Sequence, residues 1–84
     1  MEIKRGDLKL KSDAWNYWIE QETEVQSGAN KGKKTWTRVT GYHAKLPSLY
    51  KDFVETGVRS SKATNMKQVI AKINELLEQV ERLK

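Results

Sequence analysis

Residues Trp15–Glu24 read WNYWIEQETE, and this stretch decides the fold that the sequence predicts. Apolar side chains occupy the odd positions Trp15, Tyr17 and Ile19, while the even positions are largely polar. A period of two is typical of a strand that buries one face. We therefore expect a strand over about residues 14–25, with its odd side chains in the core.

The chain on the N-terminal side predicts a partner strand over about residues 7–11. Leu8 and Leu10 share one face of the segment DLKLK. A two-residue turn at Ser12-Asp13 would set Leu10 opposite Trp15, so that the apolar side chains of both strands meet on one face.

Residues Gln26–Thr35, QSGANKGKKT, look at first like a phosphate-binding loop. That motif needs four residues between its glycines and a helix after its lysine. Only three residues separate Gly28 from Gly32, and the following TWTRVTGYHA is rich in β-branched and aromatic residues. We therefore expect a hairpin turn that leads into a third strand over about residues 34–44.

A hairpin centred near Ala29 has one register that suits both faces. It places Glu24 opposite Lys34 and Glu20 opposite Arg38, and opposite charges across a strand pair are favourable. The same register aligns the apolar residues of the other face, with Ile19 opposite Val39, Tyr17 opposite Gly41 and Trp15 opposite His43.

After residue 44 the apolar period becomes helical. We expect a first helix over about residues 47–56, with Pro47 in its first turn and Gly57 as its stop, and a second helix over about 65–83, capped by Thr64 or Asn65. The predicted fold class is α+β: one domain in which a three-stranded antiparallel meander is followed by two helices that cover one face.

The second helix is longer than a small sheet needs, which raises the alternative of a homodimer. Its apolar residues widen to the stripe expected of a core-packing helix, but several also follow a three-four spacing. The residues of a C-terminal dimer seam would be Ile73, Leu76, Val80 and Leu83.

Composition bounds the function more than it defines it. The 84 residues include no cysteine, so disulfides and thiolate metal sites are excluded, and the charged start MEIKRG indicates neither a signal peptide nor a membrane span. We expect a cytoplasmic protein without a cofactor. His43 is the only histidine and is expected at the core edge, and Lys34 and Arg38 should neutralise the run Glu20, Glu22 and Glu24, so neither a metal site nor an enzyme is expected.

Binding is better supported than catalysis. The net charge is +5, and residues 25–51 contain six basic residues and no acid, which favours anionic partners. Two tryptophans fall on the polar face of the predicted sheet among basic residues, and such surfaces suit nucleic acids as well as protein partners. The residues expected to bind are Lys31, Lys33, Lys34, Trp36, Arg38 and Trp18.

Over nearly its full length the chain resembles a family of short uncharacterised phage and prophage proteins. The resemblance lies in LKLKSDAWNYWI, in GKKTWTRVTGYHAKLPSLYKDFVETGVRSS and in the final amphipathic helix. The resemblance implies no catalytic residues in this chain. It implies a small accessory protein that acts by binding, in the cytoplasm of the host cell.

Two functions follow from these observations. The first is binding of nucleic acid, or of a nucleoprotein complex, through the basic hairpin. The second is inhibition of a host defence protein, such as a CRISPR nuclease, or an adaptor role, through the face that carries Trp18 and Trp36. Inhibitors that mimic DNA are expected to be acidic, and this chain is basic.

Overall fold

A computed structural model describes residues 1–29 and 31–83 as an antiparallel sheet and two helices. Four strands follow the order β1-β2-β3-β4. The elements are β1 Glu2–Arg5, β2 Leu8–Ser12, β3 Tyr17–Glu24, β4 Lys34–Arg38, α1 Leu46–Arg59 and α2 Met66–Leu83. The predicted α+β class with two helices is confirmed, whereas the prediction of three strands is wrong.

The additional strand is β1, at the N-terminus. It pairs with β2 from Glu2↔Lys11 to Arg5↔Leu8, so only Gly6 and Asp7 connect the two strands. Gly6 has a φ of 59°. A two-residue hairpin connection needs this positive φ, which glycine adopts without strain.

The pairing of β2 with β3 differs from the predicted register. Leu10 lies opposite Ile19 rather than Trp15, because the connection is longer than two residues. The carboxylate of Asp13 accepts hydrogen bonds from the backbone N–H groups of Trp15 and Asn16, each at 2.8 Å, and so organises the longer turn. Ile19 is an even number of residues from Trp15, the predicted partner, so the apolar side chains of the two strands still lie on one face. Trp15 was expected in the core but is 80% exposed, so this part of the prediction is wrong.

The pairing of β3 with β4 is confirmed over its regular part, with Glu24 opposite Lys34 and Glu20 opposite Arg38. The backbone N–H of Val39 still bonds to the carbonyl of Ile19 at 2.9 Å. Beyond this point the prediction fails, because β4 ends at Arg38 rather than near residue 44.

Thr40 is the reason that the regular pairing stops. Its buried hydroxyl accepts a hydrogen bond from the backbone N–H of Ile19 at 3.0 Å, in the place of a carbonyl from a continuing strand. The chain then bulges outward and returns at His43, which pairs with Tyr17. Gly41 was expected opposite Tyr17, and Trp15 opposite His43; neither pair forms.

The core lies between one face of the sheet and the two helices. That face, called the inner face below, consists of the odd positions of β3 and their neighbours across the strands. The buried apolar residues are Leu8, Leu10, Ile19, Leu49, Phe53, Leu76, Val80 and Leu83. Three residues of the predicted dimer seam, Leu76, Val80 and Leu83, therefore belong to the core of the protomer, and that prediction is wrong. Ile73, the fourth, is half-buried.

Gly57 does not stop α1 as predicted, because the helix continues to Arg59. A Cβ atom at this position would lie 2.7 Å from both δ-carbons of Leu76. The glycine thus allows α1 and α2 to approach closely inside the helix pair. The cap predicted for α2 is confirmed at Asn65, whose side-chain oxygen accepts a hydrogen bond from the backbone N–H of Gln68 at 2.9 Å.

Replacing Thr40 by valine should destabilise the protein by about 1–3 kcal/mol, since the buried N–H of Ile19 loses its acceptor while the shape of the side chain is kept. Thr40→Ser retains the hydroxyl and should cost less than about 1 kcal/mol, the value of one buried methyl group. Urea denaturation followed by circular dichroism measures both. Equal losses in the two variants would show that the hydroxyl does not carry the effect.

Candidate binding surface

The face of the sheet opposite the helices, called the outer face below, carries the side chains of the even positions of β3 and of their cross-strand neighbours. Cross-strand rows bring together residues that are far apart in sequence, such as Lys4, Lys9, Glu20 and Arg38. The basic residues of this face are Lys4, Lys9, Lys11, Lys34 and Arg38, and the acidic residues are Glu2, Glu20, Glu22 and Glu24. The helices pack on the inner face, so no element of the described chain covers this one.

Trp36 lies on the outer face as the alternation predicts, and two lysines lie over its ring. The Nζ atom of Lys9 is 4.1 Å from the ring centroid, and that of Lys4 is 5.6 Å away. Because Trp36 is on β4 and Lys9 is on β2, the ring reaches across β3. The lysines shield it, so the tryptophan is half-buried rather than fully exposed. An ammonium group over an indole face is an attractive contact.

Trp18 lies on the same face near the other end of β3. Its indole N–H donates a hydrogen bond to Oε2 of Glu20 at 2.8 Å. Tyr42 packs against it edge to face, with the ring centroids 5.3 Å apart and the planes at 75°. The guanidinium of Arg38 lies 4.4 Å from the Tyr42 ring centroid, and Nζ of Lys11 lies 5.9 Å from that of Trp18. Each of these three aromatic rings of the outer face therefore has a cation beside it.

The glutamates of this face are partly neutralised by neighbours. Lys11 lies 3.7 Å from Glu20 and 4.0 Å from Glu2, and Lys34 lies 3.8 Å from Glu22. Among residues 1–29 and 31–83 no group of three or more His, Asp or Glu side chains is arranged to hold a metal ion. The predicted backbone register across the hairpin is confirmed, but the ion pairs differ from those expected: Lys34 contacts Glu22 rather than Glu24, and Glu20 contacts Lys11 rather than Arg38.

The loop between β3 and β4, together with the first residue of β4, carries the lysine tip, defined as Lys31, Lys33 and Lys34. All three lysines are exposed. Gly28 and Gly32 adopt positive φ angles of 84° and 88°, and the N–H of Gly32 bonds back to the carbonyl of Val25 at 2.9 Å. Asn30 lies outside the described residues. Because the loop leads into a strand, it does not have the strand-to-helix context of a nucleotide-binding loop.

Tyr42 is positioned on the outer face by hydrogen bonds between its two neighbours, Gly41 and His43, and Asp52 of α1. We call this group of contacts the latch. Asp52 accepts hydrogen bonds from Nε2 of His43 at 2.7 Å, from the N–H of Gly41 at 2.8 Å and from the hydroxyl of Thr56 at 2.8 Å. These contacts hold the residues on both sides of Tyr42. Partial burial raises the pKa of Asp52, but the hydrogen bonds from His43, Gly41 and Thr56 outweigh it, so this pKa lies below its usual range.

His43 is half-buried at the edge of the core, as expected, and it acts in this latch with Asp52. His43 and Asp52 line none of the described cavities, and Thr56 lines one of them without these two residues. A cavity of about 320 Å³ between the sheet and the helices is lined instead by residues such as Phe53, Gly57 and Leu76.

Four residues of this surface were missed by the sequence reasoning: Lys4, Lys9, Lys11 and Tyr42. The alternation in DLKLK placed Lys9 and Lys11 opposite to the leucines and could have identified them. Lys4 could be identified only if β1 was recognised as a strand. Tyr42 could be identified only if the bulge after Arg38 was predicted, and the sequence has no local signal for that bulge.

Comparison with known proteins adds no further information: no family model, no curated protein and no solved structure matches the chain. None of the helices in the described residues is long and apolar enough to cross a membrane.

The latch makes a prediction about pH. A carboxylate with a lowered pKa stabilises the fold fully above its unfolded value of about 3.9, and this contribution is lost as the pH falls through the lower folded value. Asp52→Asn should therefore be less stable than wild type at pH 7, and the difference should shrink below about pH 4. Urea denaturation across pH 2.5–7 measures it, within the range in which these carboxyl groups titrate.

Glu55→Gln is the matched control, since Glu55 lies on the same helix in an exposed pair with Arg59. It should change stability by less than about 1 kcal/mol at any pH. If the Asp52→Asn variant followed the wild-type pH profile in parallel, the latch would not be the source of the acid dependence.

Proposed function

We propose that the protein is a non-catalytic accessory protein that binds nucleic acid with the outer face of its sheet and the lysine tip. The observation that carries this proposal is the uncovered outer face with Trp18, Trp36 and Tyr42, each beside a lysine or arginine. Aromatic rings stack on bases irrespective of sequence, and neighbouring cations meet the phosphates. This combination favours a single strand, whose bases are accessible, over a duplex.

The two parts of the surface have different roles in this proposal. The strands of the outer face carry five basic and four acidic residues, so they contribute little net charge. Lys31 and Lys33 are exposed and lie outside the strands. We therefore assign phosphate contacts mainly to the tip and base stacking to the aromatic rings. This division predicts that the two sets of variants will differ in their salt dependence.

Loss of the tip charges should weaken binding and flatten its salt dependence. Each phosphate neutralised on a single strand adds roughly 0.7 to the log–log slope, so Lys31→Gln/Lys33→Gln should lower the slope by about 1.4. Fluorescence anisotropy with a labelled single-stranded oligonucleotide, titrated at about 50 to 300 mM salt, measures it. Lys51→Gln/Arg82→Gln removes the same charge from exposed positions on the two helices and should leave the slope nearly unchanged.

No binding of single- or double-stranded DNA or RNA at the lowest salt would sink the proposal. Equal effects of the tip and helix variants would also contradict it, because affinity would then follow net charge rather than a surface.

Loss of a stacking ring should weaken binding without flattening the salt dependence. Trp36→Ala should reduce affinity by about 1–3 kcal/mol, the usual value of one stacked base, at an unchanged slope. Trp15→Ala is the matched control, since Trp15 lies in the turn between β2 and β3 and not on the outer face. Circular dichroism confirms that both variants fold. Full affinity in Trp36→Ala would exclude this ring from the site.

A protein partner is the second candidate, and Trp15 favours it. This side chain is 80% exposed at the end of β3 opposite to the lysine tip. Tryptophan is among the residues most enriched in the energetic centres of protein interfaces. In an inhibitor or adaptor of a host protein, Trp15→Ala would abolish the interaction, whereas the tip variant would leave it intact.

A further inference from the structure

Helix α2 carries a second apolar surface that the core does not use. We call it the apolar stripe and define it by Met66, Ile70, Ile73 and Leu77. Met66, Ile70 and Leu77 are 69%, 52% and 48% exposed, and Ile73 is half-buried. The spacing of four, three and four residues places them along one line of the helix, as in the seam of a coiled coil.

The apolar stripe differs from the line that packs in the core. Leu76, Val80 and Leu83 face the sheet and α1, and they are at most 4% exposed. The stripe runs beside them on the solvent side, in the first three turns of α2. Exposed apolar residues in such a row mark an interaction surface more often than single ones do.

Charges beside the stripe indicate what covers it. Lys67, Asn74 and Glu81 are seven residues apart and therefore lie on one line next to the stripe. The line is basic near the start of α2 and acidic near its end, and Asn74 lies at its middle. In an antiparallel helix pair, Lys67 of one copy meets Glu81 of the other at both ends, and the two Asn74 side chains meet at the centre. A parallel pair would keep Lys67 and Glu81 at opposite ends of the interface, so these charges could not meet.

We propose that a second copy of this chain covers the apolar stripe, with the two α2 helices antiparallel about a two-fold axis near Asn74. Such an interface is self-complementary, since the same residues of each copy meet those of the other. It uses the helix that the sequence pointed to and shares Ile73 with the predicted seam, but its other residues differ. The helices lie on the inner side of the sheet, so both outer faces stay accessible in the dimer. It forms without nucleic acid.

The test is an exchange of the two charges, measured by sedimentation equilibrium without nucleic acid. Lys67→Glu and Glu81→Lys should each weaken the dimer by roughly tenfold, because both symmetric ion pairs become repulsive. The double variant Lys67→Glu/Glu81→Lys should recover the wild-type dissociation constant to within about threefold. The two positions are fourteen residues apart, or about 21 Å along one helix, so recovery can arise only between chains.

Circular dichroism of each variant separates helix stability from dimerisation. An acid near the start of a helix and a base near its end both interact favourably with the helix dipole, and this favours helicity in both single variants. Lys51→Glu, a charge reversal at an exposed position on α1, is the matched control and should leave the dissociation constant unchanged. Leu77→Ser should weaken the dimer through the stripe itself.

A wild-type chain that stays monomeric up to about 1 mM would overturn the proposal, since no specific dimer would then exist at relevant concentrations. A dimer that ignores both charge reversals, or one that the double variant fails to recover, would overturn the antiparallel arrangement. These outcomes are independent of nucleic-acid binding, which the anisotropy titration measures separately.

Discussion

The structure depends on the buried position of Ile19, in the middle of β3. Its side chain is fully buried, and its strand pairs with β2 on one side and β4 on the other. The backbone N–H of Ile19 needs an acceptor, because an unpaired buried donor costs about 1–3 kcal/mol. Thr40 supplies that acceptor from its side chain, which releases the following backbone from the strand. The bulge that results brings Tyr42 beside Trp18 and completes the outer face. One buried hydrogen bond therefore links the core to the candidate binding surface.

The outer face shows how a sheet can keep tryptophans in solvent without a covering element. The ammonium groups of Lys9 and Lys4 lie over Trp36, and the guanidinium of Arg38 lies over Tyr42, so charged groups that attract the ring faces cover much of the aromatic surface. A stacking partner would displace these lysines from the ring and leave them beside its phosphates. The ring would then stack on a base of the ligand, and the displaced lysine would contact a phosphate of the same ligand.

Much of the fold could be predicted from the sequence because the apolar residues of β3 repeat every two positions. That period placed Tyr17 and Ile19 inside and Trp18 outside, and the hairpin register added Trp36 to the outer face, although Trp15, expected inside, is exposed. It could not fix the partner of Leu10, since any even displacement keeps the apolar residues together. The strand β1 was missed although Gly6-Asp7 between two alternating segments is a hairpin signal. The bulge at Thr40 depends on a hydrogen bond between residues 21 positions apart, which no local pattern records.

The same alternation separates stability from recognition in this small domain. Core residues such as Leu10 and Ile19 point inward, and toward the tip the inner positions change to Thr23, Thr35 and Thr37, which are exposed. The half of the β3–β4 hairpin nearest the lysine tip therefore packs against no core. It is stabilised by the backbone hydrogen bonds between its strands and by ion pairs such as Glu22 with Lys34. Changes at Lys31 or Lys33 remove no buried contact, so their cost in folding free energy should be small. Selection could therefore alter the tip and the outer face while the inner face is preserved, and a domain of 84 residues could acquire a new ligand without a new core.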